Sequence, residues 1–497
     1  MMLLLISIAL PIFLFYLVHK CSKKSRKTNL PPLIPGLPLI GNLHQLSRAP
    51  ILHTYLSQLS KIHGPILRFN LCSTPTIVVS SAKLAKEVLR NQDLAFCSRP
   101  KLVAQQRLSY NAADMVFVPY GEEWREQRRI ANVHLLSRIK VQSFRSVRED
   151  EVARMVADIA RSASSSPPGA VNLSAAAMGL TTTLICRTGF GKRYEEQGSE
   201  LRRFQELLDE LGMLLTAFFV SDYFPALSWV DRVSGLTKRL DCAFEKLDSF
   251  YQELIDDHLD RGGTQKDEQD HILGMQIKFE LDPTQPIWDR VKALLMNLFL
   301  GGSDSSAATI VWVMTALMKE PHIMEKVQSE IRNVAGDKGK VDEDDLPKLA
   351  YLKAVINETF RFYTPGPMLL ARETTAACVL DGYEIQSKTT VYVNVWAVAR
   401  DPDYLKPNPD EFLPERFIGN DMDVKGKDFG VIPFGAGRRI CPGMLMGLAN
   451  VELAIANLLY SFDWEMPSRI QLDTHVLSGL IMHKKIPLIL LPKQYHI

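Results

Sequence analysis

The chain has 497 residues, of which 46% are hydrophobic and 23% charged, enough apolar residues for a large buried core. Its formal net charge of +2 gives no electrostatic reason to bind nucleic acid. The seven cysteines are odd in number and scattered, which argues against a disulfide framework or a zinc site and favours a reducing compartment.

The segment from Met1 to Val18 is almost wholly apolar, and a run of basic residues follows between Lys20 and Lys27. A membrane-spanning helix needs about 20 apolar residues, so this segment suits a thin bilayer such as that of the endoplasmic reticulum. Basic residues after the span hold that side in the cytoplasm. A cleaved signal peptide is the alternative, but it would have positive charge before the apolar run and a small-residue cleavage site after it. We predict an uncleaved anchor over residues 1–19.

Residues 31–38 read Pro-Pro-Leu-Ile-Pro-Gly-Leu-Pro. Prolines at this density cannot continue a helix and hold the chain in an extended form. We therefore expect residues 20–38 to connect the anchor, as a basic stop-transfer and proline-rich hinge, to one domain over residues 39–497. Most of that domain has helical periodicity.

A small sheet is predicted from short runs of β-branched or alternating residues. Two of these runs are Gly64–Asn70 and Thr76–Ser80. Residues 379–385, which contain Asp381-Gly382, and residues 389–395 are predicted to form a second strand pair with an Asp-Gly turn.

A long helix is predicted from about Ile287 to Met318, roughly 45 Å at 1.5 Å per residue. Its centre carries the polar sequence Gly-Gly-Ser-Asp-Ser-Ser over residues 301–306. Each glycine weakens a helix interior by about 1 kcal/mol relative to alanine. The pattern indicates either a kinked buried helix with a solvated notch or a notch that serves a function. A second membrane span is disfavoured because Asp304 interrupts it.

Residues 433–443 read Pro-Phe-Gly-Ala-Gly-Arg-Arg-Ile-Cys-Pro-Gly, and a helical pattern begins at about Met444. Helix-start amides favour a thiolate at Cys441, and Pro442 suits the first helical position. Small glycines leave room for a large flat group, and a thiolate beside a flat, anionic group held by arginine indicates a haem iron ligated by cysteine. The alternative is a buried structural cysteine, which a motif of this length disfavours. The motif consists of Phe434, Gly437, Arg439, Cys441 and Gly443.

This motif resembles the haem-binding loop of the cytochrome P450 family. Three further motifs follow the family's order along the chain: residues 301–305, Glu358-x-x-Arg361 and Pro-Glu-Arg-Phe at residues 414–417. Together with the anchor they are similar to the plant A-type microsomal P450 enzymes, which serve specialised metabolism. The resemblance implies the P450 fold, mainly α with a small β portion (α+β), as a single large catalytic domain behind the anchor.

The resemblance also implies roles for individual residues. The Cys441 thiolate would ligate the iron of haem b. Trp124 and Arg128, which share a face of a predicted helix, would contact the haem propionates. Arg372 and Arg439 would assist them, although Trp124 in the core and Arg128 as a solvated charge are the simpler alternatives. Phe434, Gly437 and Gly443 would shape the loop around the cofactor.

Two more groups of residues follow from the resemblance. Asp304 and Ser305 would relay protons, and Ser305 stands where the family usually has threonine, so it lacks the methyl group that limits rotamers. Glu358, Arg361 and Arg416 would form a buried network on the cysteine side. The predicted substrate pocket consists of Val116, Phe218, Leu298, Gly301, Met368 and Leu480.

The implied function is haem-thiolate monooxygenation of a small, mostly apolar specialised metabolite with O2 and NADPH-derived electrons, since thiolate donation favours O–O cleavage. The chain has no Gly-x-Gly-x-x-Gly fingerprint, so a separate NADPH–cytochrome P450 reductase would supply electrons, with cytochrome b5 as a further partner. Arg125, Arg129 and Lys140 would meet an acidic reductase surface. We expect a single-pass protein of the endoplasmic reticulum membrane, in contact with lipid, with its catalytic domain in the cytosol.

Two alternatives stay open. Ser305 leaves room for a haem-thiolate enzyme that catalyses dehydration, rearrangement or oxidative coupling without inserting oxygen. A non-catalytic haem-binding membrane scaffold is the other alternative, and the complete set of Asp304, Ser305 and Cys441 argues against it.

Overall fold

The structure is a computed structural model. It describes residues 29–72, 74–164, 169–194, 199–260, 271–280, 288–419, 422–468, 471–477 and 479–495. The predicted anchor over residues 1–19 and the basic part of the predicted hinge lie outside these ranges.

Helices dominate the described residues, as the sequence predicts. Those of nine or more residues are α1 (Leu52–His63), α2 (Glu122–Ile130), α3 (Arg145–Ala163), α4 (Leu173–Phe190), α5 (Ser199–Thr216), α6 (Leu236–Asp260), α7 (Ile272–Glu280), α8 (Trp288–Gly302), α9 (Asp304–Lys319), α10 (Pro321–Ala335), α11 (Ala350–Tyr363) and α12 (Met444–Ser461). Shorter helical segments include Leu43–Leu46, Ala82–Lys86, Asp93–Phe96, Val103–Leu108, Arg138–Ser143, Val220–Tyr223, Trp229–Val233 and Val395–Val398.

The strands are short and form small sheets. They are β1 (Ile66–Leu71), β2 (Thr74–Val79), β3 (Val171–Asn172), β4 (Arg372–Glu373), β5 (Cys378–Leu380), β6 (Tyr383–Ile385), β7 (Thr390–Val393), β8 (Phe462–Glu465), β9 (Val476–Leu477), β10 (His483–Lys484) and β11 (Ile489–Gln494). A four-stranded sheet has the order β1-β2-β7-β4, in which β2 and β7 run parallel. The other sheets are β3-β11-β8, β9-β10 and β5-β6.

The predicted second strand pair is corrected in one respect. The Asp381-Gly382 turn, with φ of +51° and +83°, joins β5 to β6, so both strands of the hairpin lie within the first predicted run. The second run forms β7, which pairs with β2 and β4 instead. A parallel partner far away in sequence leaves no local turn signal, which is why the sequence pattern could not reveal it.

The core surrounds α9 and α12, which pack against each other at the centre of the molecule. Trp312 of α9 and Leu453 of α12 are fully buried. Of the described helices, α12 is long and apolar enough to cross a membrane, but 67% of it is buried inside the protein. We interpret α12 as a core helix.

The described end of the predicted hinge lies against the sheet. The Ile34 amide donates to the Arg68 carbonyl at 3.0 Å, and the Arg68 amide donates to the Pro32 carbonyl at 2.8 Å. Ile34 itself is buried in a small apolar cluster with Leu56 and Phe69. Residues 32–34 are therefore extended, as their prolines predict, and are fixed to β1.

Candidate active site

The loop before α12 holds Cys441 in place by a closed backbone turn. Gly435 and Gly437 both adopt φ of +70°, a conformation that favours glycine. A Cβ atom on Gly437 would lie 1.9 Å from the carbonyl oxygen of Leu89, so no larger residue fits. The Cys441 amide donates to the Phe434 carbonyl at 2.9 Å and closes the turn.

The sulfur of Cys441 lies at the start of α12. Helix α12 begins at Met444, so Pro442 lies in the preceding turn and not at the first helical position that the sequence predicts. Burial raises the pKa of the Cys441 thiol, while hydrogen bonds from the Gly443 and Met444 amides and the charge of Arg128 oppose the rise. The helix start alone therefore does not produce a thiolate. Coordination to a metal cation supplies the charge that deprotonates such a thiol.

The four side chains predicted to hold propionates converge on this loop. Nη2 of Arg128, on α2, donates to a loop carbonyl at 2.6 Å. The guanidinium of Arg439 lies 4.6 Å from the ring centre of Trp124, which is also on α2. Arg372, on β4, is buried, and its Nη2 lies 3.5 Å from the carbonyl oxygen of Ala436. Residues far apart in the chain thus form one cationic cluster beside the cysteine.

This cluster fits a flat group with carboxylate arms, which describes haem. Arg128 and Arg439 contact backbone carbonyls, and within the described ranges neither pairs with a carboxylate. Nε1 of Trp124 is a buried donor with no partner among the same residues. Burial lowers the pKa of Arg439 to about 10, a sign that its charge is costly where it lies. A Cβ atom on Gly443 would meet nothing within 4 Å, which leaves space beside the sulfur.

Glu358, Arg361 and Arg416 meet in a buried network. Glu358 and Arg361 are both 0% exposed, and their fork has N–O distances of 2.6 and 2.7 Å. Three further bonds to backbone carbonyls within residues 399–411 use the other donors of Arg361, so all five of its N–H groups are bound. Nε of Arg416 lies 3.6 Å from a Glu358 oxygen.

The network supports the cysteine loop through aromatic packing. Phe360 follows Glu358 on α11, and its ring centre lies 5.0 Å from that of Phe434. A fully bonded, fully buried ion pair has a fixed geometry because each of its atoms would lose a partner by moving. The network thus gives the loop a rigid support.

The polar notch lies where α8 meets α9. The Ser303 amide donates to the Phe299 carbonyl at 3.2 Å, and the Ala307 amide donates to Ser303 at 3.1 Å, so helical bonding continues across the notch. A Cβ atom on Gly301 would meet nothing within 4 Å, whereas one on Gly302 would lie 2.5 Å from Cδ1 of Ile185. A side chain at position 302 would therefore clash with Ile185, whereas a side chain at position 301 would occupy open space.

The notch lies close to the cysteine helix. A Cβ atom on Gly447 of α12 would lie 3.8 Å from Oγ of Ser306. Gly447 is less than two helical turns from Cys441. The notch and the cysteine loop therefore border the same interior region.

Asp304 and Ser305 have separate partners. Oγ of Ser305 donates to the Gly301 carbonyl at 2.7 Å. Oδ1 of Asp304 lies 2.9 Å from Nε2 of His483, on β10. This histidine was not predicted from the sequence, because the pair joins two elements that are distant in the chain.

The predicted pocket residues do not all lie together. Val116, at the end of a loop, and Leu298, on α8, pack in one apolar cluster, near Gly301 on the same helix. Met368 packs in a different cluster, beside the four-stranded sheet. Phe218 is 49% exposed.

Phe218 is directed away from the interior. Its ring stacks on that of Tyr223, with centres 5.1 Å apart. The next residue, Phe219, is buried in the apolar cluster instead. Leu480 is partly buried and lies between β9 and β10. Periodicity could not decide which of the two phenylalanines faces inward, because this segment lies outside regular helix.

Sequence analysis missed a buried polar group behind Val116. Arg99 is buried and donates to the carbonyls of Val116, Leu370 and Ala371 at distances from 2.7 to 3.0 Å. It thus fixes two segments of the interior wall relative to each other. The motif Ser-Arg-Pro at residues 98–100 was visible in the sequence, but it carried no indication of these carbonyl partners.

A second missed group joins α8 to the same loop. Asp114 is fully buried and accepts hydrogen bonds from the amides of Val116 and Phe117. Nδ2 of Asn297 donates to Asp114 at 2.8 Å. Burial raises the pKa of the Asp114 carboxyl, and these hydrogen bonds oppose the rise.

Comparison with known proteins gives a consistent result. A family model described as cytochrome P450 matches residues 31–491. The chain is 44% identical to a 6,7,8-trihydroxycoumarin synthase of Pastinaca sativa, over 99% of this chain and 98% of that protein. It is 42% identical to a strychnine-11-hydroxylase of Strychnos nux-vomica, over 96% of this chain and 94% of that protein. A solved zebrafish cytochrome P450 superimposes with a TM-score of 0.77 at 23% identity, over 90% of this chain and all of that one.

Proposed function

This chain belongs to the cytochrome P450 family and is a haem-dependent monooxygenase, and we propose that it hydroxylates a small, mostly apolar specialised metabolite through a haem bound to Cys441. The observation that carries the proposal is the convergence of Trp124, Arg128, Arg372 and Arg439 on the Cys441 loop, beside the notch between α8 and α9. A cationic cluster, a cysteine sulfur with open space beside it and a hydroxyl-lined notch are what such a reaction needs from the protein.

The residues of the cysteine side bind and orient the cofactor. Arg128, Arg439 and the unpartnered Nε1 of Trp124 supply donors for two propionates. The Gly443 and Met444 amides stabilise negative charge on sulfur. When bound, the haem supplies dioxygen activation and oxygen transfer, which thiolate donation favours.

The residues of the notch hold protons near the reacting atoms. Gly301 leaves open space at the helix surface, and the Ser305 hydroxyl stands next to it as a donor and acceptor. The Asp304 carboxylate is about one-third exposed, so it can exchange protons with solvent. In this arrangement the Ser305 hydroxyl orients a proton donor in the notch. The Asp304 carboxylate then replaces the transferred proton with one from solvent.

The interior wall favours an apolar substrate of modest size. Its members include Val116, Leu298 and Leu370, while Arg99 and Asp114 behind them already have protein partners. One similar protein is a 6,7,8-trihydroxycoumarin synthase, and another is a 5-OH-xanthotoxin synthase. We therefore place coumarins first among the candidate substrates, and alkaloids second.

A membrane location is part of the proposal. Seven of the apolar side chains that are 40% or more exposed lie on two neighbouring parts of the surface, which meet where Tyr223 packs against the Ile34 cluster. These side chains are Leu33, Leu37, Leu39, Phe218, Leu227, Trp229 and Val233. Together with the predicted anchor, such a patch suits a lipid surface. We propose attachment to the endoplasmic reticulum, with the catalytic domain in the cytosol.

The enzyme needs a redox partner, and we propose NADPH–cytochrome P450 reductase, with cytochrome b5 as an accessory donor. The Arg125 side chain is exposed, and its guanidinium lies 5.9 Å from the ring centre of Tyr120. Arg129, in contrast, is already paired with Glu126 at 2.7 Å. Arg438 is 43% exposed near the cysteine loop, but its Nη1 pairs with the buried Asp93 at 2.9 Å, so its charge is also partly neutralised. Charge reversal at Arg125 should slow reduction by the reductase at low salt and have less effect at high salt.

The test of the proposed reaction is a labelled-dioxygen assay. Membranes containing this protein and a plant reductase are supplied with NADPH, ¹⁸O₂ and a panel of coumarins, alkaloids, oximes and terpenoids, and product masses are recorded. We expect one ¹⁸O atom in the product, and no product from the Cys441→Ser variant. An unlabelled product that depends on Cys441 would contradict oxygen insertion and point to dehydration, rearrangement or coupling.

A further inference from the structure

The pair formed by Asp304 and His483 joins the helix notch to a hairpin. Nε2 of His483 lies 2.9 Å from Oδ1 of Asp304, and the two side chains are 31% and 32% exposed. An imidazole and a carboxylate at this distance form a charge-assisted hydrogen bond when the imidazole is protonated. A neutral imidazole can still donate from Nε2, but only the imidazolium adds charge to the bond, so the pair is held most firmly when His483 is protonated.

The hairpin that carries His483 is itself anchored. The Met482 amide donates to the Pro365 carbonyl at 2.8 Å, and the Met482 carbonyl accepts from Nε1 of Trp312 at 2.8 Å. Trp312 is fully buried in α9, the helix that Asp304 begins. His483 thus projects from a rigid position towards the same helix.

Other charged groups surround the pair. Asp209 on α5 interacts electrostatically with both members, and Glu206 lies next to it on the same helix. Lys484, the neighbour of His483, is directed elsewhere: it donates to the Asp473 carbonyl, and its Nζ is 5.9 Å from the Trp312 ring centre. The environment of the imidazole is therefore acidic on its α5 and α9 sides.

This environment favours the imidazolium. Burial would lower the pKa of His483, but the hydrogen bond to Asp304 and the charges of Asp304 and Asp209 raise it above the ordinary value of 6.5. The stabilisation from the pair is complete below about pH 6.5 and is lost as pH rises through the raised pKa. The pair is therefore weakened on the alkaline side of the ordinary histidine pKa.

We propose that His483, in its protonated form, is a positioning residue that holds the Asp304 carboxylate at the solvent end of the proton path into the notch. The inference rests on the proposed function, because it says how the protonation of His483 regulates the proposed proton path. The imidazolium keeps Asp304 oriented and, being partly exposed, replaces protons from solvent. Loss of the imidazolium releases the carboxylate and slows proton delivery.

Proton delivery has a readout that needs no substrate. Reduction of O2 by two electrons and two protons gives H2O2, whereas four electrons and four protons give two H2O. An enzyme that delivers protons slowly should therefore release more H2O2 for each NADPH that its reductase oxidises. This ratio can be measured on the haem-loaded protein without added substrate.

The experiment compares four proteins between about pH 6 and pH 9. They are the wild type, His483→Asn, His483→Lys and the control His475→Asn. His475 pairs with Asp473 in the same region but is 83% exposed and does not contact the notch. Haem content is measured first, so that each ratio refers to folded, loaded protein.

We expect the wild-type H2O2 ratio to rise about twofold or more with pH as His483 loses its proton. His483→Asn should show the high ratio at every pH. His483→Lys should keep the low ratio up to about pH 9, because an unperturbed lysine stays charged there. His475→Asn should follow the wild type.

A wild-type pH profile in His483→Asn would overturn the proposal. So would an equal loss of NADPH oxidation in both His483 variants with an unchanged ratio, since that indicates a merely structural role. The thermal midpoint supplies a second measurement: the wild type and His483→Asn should differ at pH 6 and converge by about pH 9. Because neither readout uses a substrate, failure of the labelled-dioxygen assay leaves this test intact.

Discussion

The cysteine side and the notch side of the active site are built on opposite principles. The groups that support the Cys441 loop are fully bonded and tightly packed: Arg361 uses all five N–H donors, and Gly437 leaves no room for a Cβ atom. Around the notch, space is left beside Gly301, and the Asp304–His483 pair is about one-third exposed. One side is immobile, and the other can exchange protons.

This difference corresponds to the work that we propose for each side, iron ligation at Cys441 and proton delivery at the notch. A metal ligand must not move. Burying the Glu358–Arg361 pair costs desolvation energy, but the fully bonded pair holds the loop in a fixed position. A proton path must change its bonding in every turnover, so its groups keep contact with solvent. Substitutions on the cysteine side should therefore act on haem binding and stability, and those on the notch side on the fate of dioxygen.

The strongest test of the cysteine side is Cys441→Ser. A serine hydroxyl is a poor ligand where a thiolate is required, so we expect complete loss of the haem-thiolate absorption signature and of NADPH-dependent turnover. The exposed thiol Cys242 provides the control, and Cys242→Ser should keep both properties. Thiolate-type spectra in Cys441→Ser would show that another residue ligates the iron.

The next largest effect is expected in the buried network of Glu358, Arg361 and Arg416. Glu358→Ala leaves Arg361 without its carboxylate in a site that is 0% exposed, which should cost about 3–5 kcal/mol. We expect haem content to fall much more than the turnover of the remaining loaded enzyme. The control is Glu415→Ala, which removes a pair with Lys326 that is about half exposed and a hydrogen bond from the Tyr351 hydroxyl, and which should cost much less than Glu358→Ala. Full haem content in Glu358→Ala would contradict the supporting role of the network.

Alanine substitutions at the two notch glycines should separate an effect on packing from an effect on turnover. Gly302→Ala places a Cβ atom 2.5 Å from Cδ1 of Ile185, so we expect a loss of about 1–3 kcal/mol in unfolding free energy. The further change Ile185→Val should recover much of that loss, because it removes Cδ1. Gly301→Ala meets no protein atom and should keep or raise stability while lowering turnover. Equal effects of the two substitutions on unfolding free energy and on turnover would contradict different roles for Gly301 and Gly302.

The smallest expected effects are at Ser305. Ser305→Ala removes the bond to the Gly301 carbonyl, worth about 1 kcal/mol, and should raise the ratio of H2O2 to NADPH. Ser305→Thr keeps the hydroxyl and restricts its rotamers, so it should lower that ratio slightly while leaving haem content unchanged. A ratio that is the same in all three proteins would exclude the Ser305 hydroxyl from the proton path.

The cysteine side was largely predictable from the sequence. Its residues occur as local motifs, and a motif such as residues 433–443 specifies its own turn through glycines at positive φ. The meeting of Glu358, Arg361 and Arg416 was also expected, although only as an implication of family resemblance.

The notch side was predicted less completely. The sequence placed Asp304 and Ser305 at a helix interruption, but it gave no indication of His483 or of Asp209. It also could not tell that Phe219 faces inward while Phe218 lies on the surface. These features depend on which elements pack together, and that is settled by long-range contacts.

The sequence by itself determined the family, the helical character of the chain, the cysteine loop and the interrupted helix, because each is encoded in neighbouring residues. Only the tertiary structure decided that β7 pairs with β2, that Arg99 joins two wall segments, and that the Asp304 carboxylate faces an imidazole. The physical reason is the range of the interactions. Backbone conformation and helical periodicity act over a few residues, whereas burial and charge pairing act between whatever surfaces the fold brings within a few ångströms of each other.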